Sequence, residues 1–451
     1  MIVFQASMSD TTDRIHSWSP DGDILTLVTT HSDPMRIHLN RIKPAVDSLF
    51  KKLAIDLASL FPGQIGDGLP PEPEWDIGDA LGATQPFVDH KDFLEITSPL
   101  YTKFNNSMQS LDEPCHQIWS LNGLQLEKFS SWLKLEQEVL ETIFLILLFT
   151  GGGVSPRTLS ISALQYRSTA SQKRNLHLLH GTLCFVWPKA KYNSQSGDDS
   201  SDSLYAYPPQ LNWLIFIYLG VIRRFTIGVM KMQKWSLGEM ETKLFVYTGA
   251  KSTRGFPWKA AFMNATLRGF SEQVFDSQPR VSDLRQLTQS IYSLHFQGVE
   301  EMEGIMEVAA NHMANHSKNV SRNFYGRTNL SIEEWTQLCL ACSKAWHCWL
   351  GLIPYNSISD SHLKKIPILQ RHRNQAMANL SASIWIKDHR EQMLQVTRVQ
   401  DLLNRLISKV RFNVCFLYKV LTPSSIRKHW NMSYSVKSQH LYSGVRELHL
   451  S

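Results

Sequence analysis

The sequence predicts a mainly α-helical protein with one small β-hairpin or sheet, and three observations support this fold class. Apolar residues recur at roughly helical spacing in residues 35–61, where Pro62 and Gly63 end the pattern. Residues 122–150 are apolar enough for one or two helices, the second of them largely buried. Within residues 175–192, two short β-prone runs flank His180-Gly181, which is typical of a hairpin.

The composition is that of a globular intracellular protein. Apolar residues make up 43% of the 451 residues and charged residues 19%, which excludes the disordered classes. Six cysteines in a chain this long favour a reducing compartment over a disulfide framework, and residues 1–14 lack the pattern of a secretory signal. The most apolar runs, 139–149 and 214–222, fall short of the ~18–20 residues that cross a bilayer, so we expect buried helices and no membrane partner.

Charge is unevenly distributed along the chain. The formal net charge is +6, but residues 1–120 contain 8 basic and 17 acidic residues, whereas residues 361–451 contain 15 basic and 4 acidic ones. Such a basic C-terminal end is compatible with a polyanionic partner.

The pattern divides the chain into three regions. We expect a helical region over 1–120, which contains an acidic loop rich in Pro and Gly at 63–90, a second domain over 121–355, and a basic helical tail over 356–451. In the second domain, Pro156 favours a new helix near Arg157, directly after a Gly-rich turn. Residues 211–225 are predicted to form a helix that ends in a basic last turn.

Cleavage of a phosphodiester without a metal needs a particular set of side chains. Arginines hold the non-bridging oxygens, a tyrosine hydroxyl attacks phosphorus, a lysine protonates the leaving sugar oxygen, and a histidine completes the set of donors. The chain contains these residue types in the order Arg157, Lys189 or Lys191, Arg285, His316 and Tyr325.

At these positions the sequence resembles the catalytic domain of the tyrosine recombinases (phage-type integrases). The fungal Crypton-type recombinases of DNA transposons, and the related regions beside fungal RecQ-like helicases, are the most similar branch. The resemblance rests on GVSPRTLS (153–160), on NHSKNVSRNFYGR (315–327), in which His316 precedes Tyr325 by nine residues, and on SKAWHCWLGL (343–352). It covers roughly residues 35–355 and is clearest over 140–352.

The resemblance implies a role for each matched residue. Tyr325 would be the nucleophile, Arg157 and Arg285 would bind the scissile phosphate, Lys191 would protonate the leaving 5′-oxygen, and His316 would hydrogen-bond a phosphate oxygen or assist proton transfer. Lys189 is the alternative to Lys191. It is also expected to contact DNA, together with Ser282, Arg322 and Arg327.

The resemblance also implies the partners. Such enzymes cleave and rejoin double-stranded DNA as oligomers, through a 3′-phosphotyrosine that conserves the bond energy, so no metal and no small-molecule cofactor are expected. The N-terminal region would correspond to the part that clamps DNA. For a fungal, transposon-derived protein, a nuclear location would follow.

The sequence departs from the family pattern at three places. Ser282 stands where a histidine is usual, no glutamate follows Arg157, and Asn315 replaces a glycine. Two other hypotheses therefore stay open. One is a catalytically inactive, domesticated DNA-binding protein of the same fold, and the other is a helical scaffold that binds proteins.

Each candidate also has a structural interpretation. Arg157 could satisfy helix-end carbonyls, Arg285 could pair with Asp283, and Tyr325 could be a half-buried anchor of a helix. His312 lies one helical turn before His316 and could form a metal pair with it, although no further ligands are apparent. The segment CLACSKAWHC (339–348) superficially suggests zinc, but its tryptophans are spaced for packing, and we expect a buried helix there.

Overall fold

The structure is a computed structural model, and helix predominates in the part of the chain that it describes. That part comprises residues 14–29, 32–61, 69–75, 77, 85–109, 118–120, 123–152, 155–187, 203–249, 253–275, 277–295 and 332–354. All of these residues belong to one compact unit, Met1–Arg373. The helices and small antiparallel sheets confirm a mainly α fold class with a minor β component.

The helices account for most of the described residues. They are α1 (Leu39–Ser59), α2 (Lys91–Gln109), α3 (Leu126–Thr150), α4 (Thr158–Ser162), α5 (Gln210–Ile217), α6 (Arg224–Met232), α7 (Ala260–Phe275), α8 (Val281–His295) and α9 (Ile332–Leu350). A single 3-10 turn, Phe87–Asp89, precedes α2. Of the run 122–150, predicted as one or two helices, Leu126–Thr150 form a single helix, and its C-terminal half is buried, as its apolar run predicts.

The strands of the described residues form three small antiparallel sheets. They are β1 (Arg14–Trp18), β2 (Ile24–Thr29) and β3 (Ser32–His38); β4 (Trp119–Ser120) and β5 (Gly123–Leu124); and β6 (Leu176–Leu179), β7 (Thr182–Trp187) and β8 (Ser203–Ala206). The predicted hairpin is β6–β7. Its turn residues His180 and Gly181 have φ values of 48° and 69°, the left-handed pair that a two-residue turn of this kind requires.

One hydrophobic core joins the N-terminal helices to the rest of the described residues. Helix α1 packs against α3. Phe104 of α2 lies 5.8 Å, ring to ring, from Trp132 of α3, and Phe93 lies 5.2 Å from Phe216 of α5. The β1–β3 sheet was not predicted from the sequence. The division of the chain near residue 120 stays a prediction, and the tail 356–451 lies outside the described residues.

The helical stretch Gln210–Met232 consists of α5, a π-helical segment (Tyr218–Arg223) and α6. It is long and apolar enough to pass for a membrane span by length and composition alone, but 83% of its apolar window is buried. The prediction of buried helices in the two apolar runs is confirmed.

The predicted basic last turn near residue 225 is wrong, because the helix continues to Met232 and Arg223 points into the core. Its Nε donates to Oε1 of Glu136 in α3 at 2.9 Å, and both side chains are almost completely buried. Tyr218 also donates to that oxygen, while Oε2 accepts from Thr226. Arg223 therefore joins the π-helical segment to α3 rather than facing solvent.

Candidate functional site

The turn after α3 positions Arg157. A Cβ on Gly151 would lie 2.9 Å from the carbonyl oxygen of Leu147, and Gly152 has a φ of 74°, so this tight turn favours glycine at both places. Ser155 closes the turn, because its hydroxyl donates to the carbonyl of Leu148 at 2.7 Å. Arg157 then occupies the N-cap position of α4, where a new helix was predicted, and its side chain is partly buried.

The first turn of α8 positions Arg285. The backbone N–H of Arg280 donates to the carboxylate of Asp283 at 2.7 Å, which satisfies a donor at the start of the helix. Ser282 and Arg285 are three residues apart on this helix and therefore neighbours on its surface. Ser282, at the position where the family has a histidine, is exposed, whereas Arg285 is partly buried.

The charges of Arg157 and Arg285 interact with each other and with Tyr205 of β8. Burial lowers the pKa of Arg285, Tyr205 counteracts this, and the positive charge of Arg157 lowers the pKa further. Burial raises the pKa of Tyr205, and the charges of Arg285 and Arg157 partly offset that rise. Two arginines from distant segments thus act on the same phenol. The packing of α4 on α7, and of α7 on α8, connects their elements.

Sequence analysis missed Tyr205. Its ring stacks on Phe185 of β7, with centroids 5.8 Å apart, and only 3% of the residue is exposed. A buried phenol with a raised pKa is neutral at pH 7, so it can hydrogen-bond beside the arginines but is not placed to attack a substrate. The alternating pattern SLYAY, directly after a polar loop, was the available signal for this strand.

The remaining predicted residues lie outside the described part of the chain. They are Lys189, Lys191, His312, His316, Arg322, Tyr325 and Arg327.

The segments 188–202 and 296–331, which contain these residues, are flanked by described elements on both sides. Trp187 at the end of β7 pairs with Ser203 at the start of β8, and these two residues flank the segment 188–202. The pair lies two residues along the strands from the pair of Phe185 and Tyr205. The segment 296–331 follows α8 and precedes α9, which packs against β8.

Helix α9 is the buried helix that was expected at residues 339–348. Cys339, Cys342 and Cys348 are buried free thiols. Burial raises the pKa of Cys342 to about 12 and that of Cys348 to about 11, which disfavours the thiolate needed for zinc binding. His347 bonds through Nε2 to the backbone oxygen of Thr150 at 2.8 Å. No cluster of metal-binding side chains occurs among the described residues.

No family model, no curated protein and no solved structure matches the chain. The likeness to tyrosine recombinases is therefore carried by the order and spacing of the motifs alone.

The arginine pair defines what this place can bind. Guanidinium groups hold phosphate or carboxylate oxygens with paired, charge-assisted hydrogen bonds. Two of them that lie close together repel each other, and an anion bound between them relieves the repulsion. Arg157 and Arg285 therefore form a pair of donors suited to a single oxyanion, which we call the arginine site.

Proposed function

We propose that the chain is a DNA-binding protein of the tyrosine-recombinase type, in which Arg157 and Arg285 bind one phosphate of double-stranded DNA and Tyr325 attacks it. Tyr325 passes its phenol proton to His316 as its oxygen forms a bond to phosphorus, and the bond from phosphorus to the 5′-oxygen breaks. That oxygen takes a proton from Lys191, or from Lys189. The products are a 3′-phosphotyrosine and a free 5′-hydroxyl. The 5′-hydroxyl of another strand can then attack the phosphotyrosine, which reverses the step and joins the strands.

The observation that carries this proposal is the electrostatic contact of Arg157 with Arg285. The sequence motifs predict that these two arginines bind one phosphate, and the two residues are far apart in the sequence. Arginines that paired only with groups close to them in the sequence would not be expected to interact with the same phenol. Binding of one phosphate by both guanidinium groups would explain the arrangement.

The ends of two further segments support the same assignment. The segment with both candidate lysines leaves and re-enters the β7–β8 pair close to Tyr205. The segment with His316 and Tyr325 is bounded by α8, which contains Arg285, and by α9, which packs against β8. The segment with the candidate lysines thus connects β7 to β8, the strand of Tyr205, and the segment with His316 and Tyr325 connects the helix of Arg285 to a helix that packs on β8.

A covalent-capture experiment tests the proposal. The full-length protein is incubated with randomised duplexes nicked so that cleavage releases a short strand and prevents religation, and adducts are resolved on a denaturing gel. We expect an adduct that Tyr325→Phe abolishes and that Arg157→Ala and Arg285→Ala greatly reduce. Tyr205→Phe is the matched control, because it removes a buried phenol at the same place and should leave the adduct detectable.

A second candidate is an inactive DNA-binding protein of the same type, which the exposed Ser282 favours. A serine hydroxyl does not transfer protons near neutral pH as an imidazole does. DNA binding that depends on Arg157 and Arg285, with no adduct from any duplex, would establish this alternative and reject the enzyme. Binding that is indifferent to both arginines would reject both candidates.

A further inference from the structure

The C-terminal end of α3 is capped by side chains from other parts of the chain. The last carbonyl groups of a helix have no partner within the helix and need donors from elsewhere. Here the hydroxyl of Ser155 donates to Leu148 at 2.7 Å, the indole Nε1 of Trp346 donates to Phe149 at 2.9 Å, and Nε2 of His347 bonds to Thr150 at 2.8 Å. Two of these three donors are consecutive residues of α9.

His347 reaches a second element as well. Its ring also lies beside the backbone of Ala206, the residue that follows Tyr205 in β8. The residue is 2% exposed, and it lies on a helix that packs against β8 while its ring bonds the end of α3. Because Thr150 presents a carbonyl oxygen, Nε2 must be the protonated nitrogen in this bond.

The turn that follows α3 depends on such support. Gly151 and Gly152 have no side chains, so neither can anchor the chain between Thr150 and Ser155. The residues after this turn lead directly to Arg157 and α4. Loosening the last turn of α3 would therefore displace Arg157 relative to Arg285, which belongs to a different helix.

We infer that His347 is a positioning residue, which fixes the carboxyl end of α3 to β8 and so holds Arg157 beside Arg285. Its effect on DNA binding rests on the proposed function, whereas its effect on the turn does not. Trp346 supports the same end of α3 one residue earlier and assists in this role. An imidazole used only to fill the core would have no need to bond the last backbone carbonyl of α3.

Three variants separate positioning from general stability. His347→Gln keeps an N–H donor near the place of Nε2, and His347→Leu keeps much of the volume but removes every donor. Ser343→Ala is the matched control, because Ser343 is buried in the same helix and its hydroxyl donates within α9, to the backbone carbonyl of Cys339 at 2.9 Å. Trp346→Phe, which keeps an aromatic ring without the indole donor, provides a second route if His347→Leu does not fold.

Hydrogen exchange at the amides of α4 is the first readout. The amides of Ile161 and Ala163 donate to the carbonyls of Arg157 and Leu159, so their exchange reports whether α4 stays formed behind the turn. We expect roughly tenfold faster exchange at both amides in His347→Leu, a smaller increase of the same sign in Trp346→Phe, and near-native rates in His347→Gln, on the scale of one lost hydrogen bond. Ser343→Ala should not change them once global stability is matched.

Binding of a fluorescent duplex at fixed salt is the second readout. His347→Leu should weaken it by about as much as Arg157→Ala, and His347→Gln should restore it. Unchanged exchange at Ile161 and Ala163 in both His347→Leu and Trp346→Phe would overturn the inference. Faster exchange in a protein whose native form binds no DNA would reject the proposed function and leave the positioning role of His347 standing.

Discussion

The charge of Arg157, the N-cap residue of α4, acts on Arg285, which lies near the start of α8. Both also act on the buried phenol of Tyr205. If they bind one phosphate together, their contributions to affinity are coupled, because loss of either arginine removes half of a joint clamp. Separate surface contacts would instead add independently.

A double-mutant cycle measures this coupling. We expect Arg157→Ala and Arg285→Ala each to weaken binding of a duplex. The double variant should lose less binding free energy than the two single variants lose together, with a coupling energy of about 0.5–3 kcal/mol. Fluorescence anisotropy at one fixed salt concentration provides the affinities, since salt alone changes phosphate binding strongly.

Arg268→Ala is the control for net charge, because Arg268 is an exposed arginine on α7. The binding free energy lost in Arg268→Ala should add to that lost in Arg157→Ala when both changes are combined. Strict additivity of Arg157→Ala and Arg285→Ala would contradict a shared phosphate.

The buried pair of Glu136 and Arg223 should be far more important for stability than an exposed pair. Glu136→Ala leaves a buried guanidinium without its carboxylate, and we expect a loss of about 3–5 kcal/mol in the free energy of unfolding. Glu241→Ala removes the partner of Lys231 in an exposed pair with N and O 2.6 Å apart, and we expect less than about 1 kcal/mol. Urea denaturation of the two variants measures the difference, and equal losses would show that burial does not set the strength of the Glu136–Arg223 pair.

Sequence patterns predicted the parts of the fold that depend on local periodicity. The hairpin around His180-Gly181, the buried helix α3 and the new helix start after Pro156 all follow from spacing or turn chemistry. Arg157 and Arg285 could be named because motif order is visible in the sequence. Their electrostatic contact depends on how α4, α7 and α8 pack, and no local pattern contains that information.

Two errors show where local patterns fail. Arg223 follows an apolar run, so it looked like the basic end of a helix, whereas its partner Glu136 lies on another helix. The sequence did contain a signal, because Glu136 falls at helical spacing between Leu133 and Leu140 on the buried face of α3. Tyr205 was missed because its short strand is recognisable only beside β7.

Close packing of α2 against the π-helical segment predicts opposite outcomes for two glycines. A Cβ on Gly220 would lie 2.6 Å from Cγ2 of Thr97, so Gly220→Ala should overpack the contact and cost about 1–3 kcal/mol. A Cβ on Gly228, in α6, would meet only the hydroxyl of Tyr101 at 3.6 Å. Gly228→Ala should therefore be neutral or stabilise by up to about 1 kcal/mol through helix propensity.

Thermal unfolding of both variants tests this prediction. The melting temperature should fall for Gly220→Ala and should stay or rise for Gly228→Ala. A fall of the same size in both variants would mean that the contact with Thr97 is not the cause.

His347 predicts how stability depends on pH. Burial lowers the pKa of its imidazole from 6.5 to about 4, although the hydrogen bond to Thr150 opposes the shift. The neutral ring is thus favoured in the folded protein, while the unfolded chain takes up a proton near pH 6.5. The contribution of the neutral ring is fully present above pH 6.5 and is lost as the pH falls towards 4.

Between pH 7 and pH 5 this proton uptake should lower the free energy of unfolding by about 2 kcal/mol in the native protein. The side chain introduced in His347→Gln does not titrate in this range. The free energy of unfolding of this variant should therefore fall by about that amount less over the same interval. Urea denaturation at both pH values gives the comparison, with Ser343→Ala expected to follow the native protein. Parallel pH profiles for the native protein and His347→Gln would show that His347 does not have a depressed pKa in the folded chain.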